Sequence, residues 1–90
     1  MNIANYNERI EKIATQYNER LAALQLESLP VHEYGLRWNE EQHNLLDMIK
    51  AETEYFMKEN NCSVSDFQEL GIAGRKILAD HKILITVPVQ

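Results

Sequence analysis

Four side chains in this sequence are of the kinds that hold metals or attack electrophiles: Cys62, His32, His43 and His81. A zinc site needs several such ligands at short spacings. Here neighbouring histidines stand at least eleven residues apart and Cys62 has no second cysteine, so no metal site is expected. A nucleophile built from Cys62 with His43 or His81 would need a third, orienting group and an oxyanion site, and no spacing supplies them. Gly71 and Gly74 are not followed by the Gly-Lys-Ser/Thr ending of a phosphate loop. The sequence is therefore read as a non-enzyme, with no cofactor and no metal.

The remaining chemistry is electrostatic. The formal net charge is −5, and it is not spread evenly. Residues 40–62 carry six acids, Glu40, Glu41, Asp47, Glu52, Glu54 and Glu59, against Lys50 and Lys58. Nonspecific nucleic-acid binding depends on cations meeting phosphates, and anionic membranes select basic segments. The balance speaks against both. An acidic segment instead suits a basic protein surface, including one that otherwise binds nucleic acid. Trp38, the only tryptophan, stands just before this segment and is of a type enriched at interface hot spots. The expected partner-binding residues are Trp38, Glu40, Glu41, Asp47, Glu52, Glu54 and Glu59. The expected function is that of a small acidic protein–protein interaction module: an adaptor, an assembly factor or an inhibitor of a larger, nucleic-acid-binding machine.

Residues 63–82 offer the alternative. Leu70-Gly71-Ile72, followed by Ile77, places apolar residues around a glycine as in a turn between two short helices. This resembles a helix-turn-helix, and with a following strand it resembles the front of a winged helix. The resemblance implies a DNA-binding regulator in which Arg75, Lys76 and Lys82 face phosphate. Phe67 departs from the pattern, because that place usually holds a small residue.

These residues need elements to position them. The segment Tyr6-Asn7-Glu8-Arg9-Ile10 returns eleven residues later as Tyr17-Asn18-Glu19-Arg20-Leu21, and Ile13 returns as Leu24. The apolar steps of four and three predict one face of a helix. An eleven-residue period is about 3.67 residues per turn, so the stripe runs nearly straight. A helix over residues 3–27 would be about 37 Å long. That exceeds the width of a compact chain of this size, whose radius of gyration would be about 12 Å. Either the fold is elongated or a second copy covers part of the stripe.

Pro30 and Gly35 predict a connector over residues 28–38 with a short extended piece at 31–34. Asn39 with Gln42 reads as a capping box for a second helix over residues 40–59. Its Leu45, Ile49 and Phe56 are expected against the first helix. A third helix is expected to open near Ser63 or Ser65, with Ser65 and Gln68 reading as a capping box, and to run over residues 66–79, bent or split at Gly71. Residues 82–90 read as an apolar β-type strand. It would pair with residues 30–36 or with a second chain.

The expected fold class is mainly α: a single domain over residues 1–90 with three or four helices, a long first helix and a short C-terminal strand. Ninety residues leave room for one core only. A lone cysteine, no apolar leader and no membrane-length run suggest a cytoplasmic protein. A homodimer is expected as well.

Overall fold

The computed structural model describes residues 2–87. It contains three helices: α1 (Ala4–Leu26), α2 (Val31–Glu59) and α3 (Val64–Asp80). The molecule is elongated, measuring 46 × 23 × 19 Å with a radius of gyration of 14.5 Å. The long dimension is that of α2, whose 29 residues rise about 43 Å.

The first helix forms as its spacing requires. Tyr6, Ile10, Ile13, Tyr17 and Leu24 are all buried, with Ala14 beside them. Ile10 has no exposed surface. The stripe packs on Leu45 and Phe56 of α2, with Ile49 at the edge. The Tyr6 and Phe56 rings meet in a tilted pair, 5.5 Å between centroids.

The connector is shorter than the sequence suggested. Residues 31–36 are helical, so neither the extended piece at 31–34 nor the cap at Asn39 exists. Pro30 stands at the N-cap with ψ 148° and accepts the first helical bond from Tyr34 N–H. Proline at this place breaks only what precedes it, since the missing N–H would lack an intrahelical acceptor anyway. Gly35 is carried inside α2, where a Cβ would meet nothing within 4 Å. The apolar spacing of α2 reaches back through Tyr34 and Trp38. Gln42, a buried polar residue, interrupts that pattern in the sequence.

α3 is also longer than expected and does not break at Gly71. Its cap is Ser63, whose hydroxyl accepts from Asp66 N–H while the Asp66 carboxylate accepts from Ser63 N–H. Ser65 and Gln68 play no such part. Leu70, Gly74 and Ile77 are buried against the first two helices. At Gly74 a Cβ would stand 3.4 Å from the Tyr6 hydroxyl, so a small residue lets α3 lie close to α1.

Each helix ends in a residue with positive φ: Ser28 (53°), Asn61 (49°) and Lys82 (58°). At Lys82 the pattern is a Schellman turn. Lys82 N–H bonds Ala79 C=O and Ile83 N–H bonds Leu78 C=O.

Beyond that turn there is no strand among the described residues. Of the predicted partner at 30–36, residues 31–36 are part of α2, where their carbonyls are taken up by helical bonds. Residues 83–87 instead run as a tail with alternating burial. Ile83 and Ile85 pack against the core and Val87 is buried, while Leu84 and Thr86 are exposed. Pro88, Val89 and Gln90, the rest of the expected strand, lie outside the described residues.

Candidate functional site: the acidic outer ridge of α2

The eleven-residue repeat sets the register between α1 and α2. Arg9 reaches Glu52 at 3.3 Å, and Arg20 reaches Glu41 at 2.7 Å. The two arginines are eleven residues apart, and so are the two glutamates. Because the helices are antiparallel, each copy of the repeat meets its own stretch of α2 in the same way. The Arg20–Glu41 contact is bidentate, through Nε and Nη2. Glu41 raises the Arg20 pKa, chiefly through these hydrogen bonds and then through its charge.

This register sorts the six predicted acids. Glu41 and Glu52 lie on the flank of α2 that faces α1 and are engaged there. Glu59 is exposed near the C-terminal end of the same flank. Glu40, Asp47 and Glu54 stand seven residues apart on the opposite, solvent side, and all three are exposed. A fourth acid, Glu33, continues the series one step earlier. It was outside the predicted set because its segment read as connector. A step of seven residues turns the helix by almost two full turns, so side chains at that spacing stay on one ridge. The ridge from Glu33 to Glu54 is about 32 Å long. None of the four forms an ion pair among the described residues. Like charges about 10 Å apart sit near the Debye length at ordinary salt, so they repel one another only weakly.

Trp38 is half-buried on the inner side of α2, away from the ridge. It belongs to the packing around Tyr17. The Tyr17 hydroxyl is buried and has no hydrogen-bond partner among the described residues; the Trp38 indole is beside it. Burial first, and then the charge of Glu41, push the Tyr17 pKa up, with the indole acting the other way. Tyr6, its counterpart in the first repeat, is satisfied. Its hydroxyl lies 2.9 Å from Thr53 Oγ1, which donates in turn to Ile49 C=O.

The residues of the alternative reading lie on one continuous helix and in the turn that follows it. Gly71 lies within a continuous helix, so the turn expected at Leu70-Gly71-Ile72 does not form. Arg75 and Lys76 are exposed on α3, and Lys82 sits in the turn that follows it.

The groups that first suggested catalysis are scattered. His32 and His43 are exposed on α2. His81 bonds the Glu11 carboxylate through Nε2. Cys62 is pushed up in pKa, first by burial and then by the charge of Asp66, whereas a nucleophilic thiol needs the opposite shift. No three His, Cys, Asp or Glu side chains among the described residues could hold a metal ion. An open groove of about 780 Å³ runs between α1 and α2, with Lys12, Gln16, Met48 and Ala51 on its walls. No described helix is long and apolar enough to cross a membrane.

Comparison with protein-family models, with curated proteins and with solved structures gives no match.

Proposed function

We propose that this protein is a small acidic interaction module that docks the outer ridge of α2 on a basic surface of another protein. Its role is that of an adaptor, an assembly factor or an inhibitor. The observation that supports this is the sorting of charge by the helix. The acids that face α1 are matched by Arg9 and Arg20, while Glu33, Glu40, Asp47 and Glu54 face outward with no ion pair among the described residues. A row of evenly spaced carboxylates complements a row of cations. Cations in such a row are what a phosphate backbone also recognises, so a partner that binds nucleic acid fits the same chemistry.

The test is a triple reversal, Glu40→Lys, Asp47→Lys and Glu54→Lys. These positions are exposed, so helix content and unfolding midpoint should change little. Capture of a partner from the native host should be lost. With the wild-type chain, partner affinity should fall steeply as salt rises from about 50 to 300 mM, because the contacts are screened. A partner that still binds the reversed chain, or binding indifferent to salt, contradicts the reading.

A further inference from the structure

The tail at residues 83–87 sits on the bundle in a way that does not depend on which chain it comes from. Its anchor is Gln42, which has no exposed surface. Gln42 Oε1 accepts from the Thr86 backbone N–H at 2.7 Å, and Gln42 Nε2 donates to Thr86 Oγ1 at 3.0 Å. A buried amide here serves an extended chain as a neighbouring strand would, by bonding its backbone. Thr86 Oγ1 also lies 3.3 Å from Gln42 Oε1, and Ile83 N–H bonds Leu78 C=O in the turn. The rest of the attachment is apolar, through Ile83, Ile85 and Val87.

The turn that feeds the tail is its weak point. Lys82 holds φ at 58° in the place where a Schellman turn favours glycine. A residue with a Cβ is disfavoured in that conformation. Asn61, in the corresponding place after α2, is of a type that tolerates it. The closed path is therefore strained at one residue, and the strain ends if residue 82 extends.

We propose that the groove beside Gln42 takes the tail of a second copy, so that two chains exchange residues 83–87 and form a dimer. Each groove keeps the Gln42–Thr86 bonds and the apolar contacts it makes in the monomer, now with its partner's tail, while Lys82 opens to an extended hinge and the turn's own bonds to Ala79 and Leu78 are given up. Exchange of an identical segment is a low-cost route to a dimer because the contacts already exist. The closed monomer holds its tail at high effective concentration, so the dimer grows with protein concentration. The apolar strand that the sequence displays thus has a use in association without forming a sheet.

The hinge gives the test. Mass is measured by light scattering on the full chain over a range of concentrations. Lys82→Gly relieves the closed turn by about fivefold per chain, which raises the dimer dissociation constant about 25-fold for two hinges. Lys82→Pro fixes φ near −65° and removes the N–H that bonds Ala79. It cannot close, so it should be dimeric at concentrations where the wild type is monomeric. Adding Gln42→Leu should return that variant to a monomer. A folded, monomeric Lys82→Pro chain overturns the proposal, and so does a dimer that survives Gln42→Leu. If Lys82→Pro does not fold, the comparison of wild type with Lys82→Gly decides alone. Equal dissociation constants for those two overturn it.

Discussion

The two ends of this bundle start from the same eleven-residue unit and are closed by different things. At one end the first repeat, with Tyr6 and Ile10, meets Thr53 and Phe56 and lies beneath α3, where Leu70 and Ile77 are buried. At the other end the second repeat, with Tyr17 and Leu21, meets the stretch of α2 that holds Trp38, Gln42 and Leu45. That end lies beyond α3 and is covered by the tail. The consequences show in matched residues. Ile10 has no exposed surface, whereas its counterpart Leu21 is only partly buried. Tyr6 has a hydrogen-bond partner for its hydroxyl, whereas Tyr17 has none among the described residues. The position on α2 that corresponds to Thr53 is Gln42, and its amide is turned to the tail instead. A repeat in sequence therefore sets register and charge pairing, but the third layer decides how firmly each copy is held.

The sharpest way to break this comparison is to cut the matched apolar pair. Ile10→Ala should cost about 2–5 kcal/mol in urea unfolding, as expected for a large-to-small change in a closed core. Leu21→Ala should cost less than half as much, because part of that side chain already meets water. Equal losses would mean that the two ends are equally well packed.

The tyrosines give a smaller but cleaner contrast. Tyr6→Phe removes a buried hydrogen bond and should cost about 1 kcal/mol. Tyr17→Phe removes a buried hydroxyl that has no partner among the described residues and should be neutral or slightly stabilising. Thermal melts of the two variants side by side would decide this. A loss at Tyr17 as large as that at Tyr6 would show that its hydroxyl is satisfied in solution.

A third effect separates the two glycines of α3. Gly71 has open space where its Cβ would be, with the Arg75 guanidinium at 3.8 Å. Gly71→Ala should stabilise the helix by about 0.5–1 kcal/mol. Gly74→Ala should gain less or nothing, since its Cβ would press on the Tyr6 hydroxyl. Chemical denaturation of both variants tests the difference.

The mildest effect is on alkaline stability. Burial raises the pKa of Tyr6 and of Tyr17 above the usual value of 10.0. The folded state thus favours the neutral phenols. Their contribution is full below about pH 10 and is lost as pH rises beyond it, because the unfolded chain ionises first. The urea midpoint should drop between about pH 9 and pH 11, and drop less in a Tyr6→Phe, Tyr17→Phe double variant.

Much of this was legible from residue spacing. The straight stripe from Tyr6 to Leu24 and its packing on Leu45 and Phe56 follow from the period of the repeat. The start of α2 was misplaced because Pro30 and Gly35 are local breakers in sequence, while Tyr34 and Trp38 are held helical by tertiary contact. Gln42 looked like a capping partner because glutamine three places after asparagine has that pattern. Its buried position becomes visible only once the tail is laid against it. The strand expected over residues 82–90 does not form among the described residues, where residues 83–87 run as a tail with alternating burial. The apolar, β-branched composition did not need a sheet, because a side-chain amide, that of Gln42, meets the backbone of Thr86. The outward ridge was half legible: Glu40, Asp47 and Glu54 were named, but the helical phase that adds Glu33 and sets Glu41 and Glu52 apart depends on the register of α1.

The difference between the two ends is tested most directly by amide hydrogen exchange read residue by residue on the full chain. Amides at residues 10–14 and 53–56 should exchange at least about tenfold slower than those at residues 21–24 and 34–38, because the second set opens without unfolding the core under α3. Uniform protection across both copies of the repeat would contradict the account.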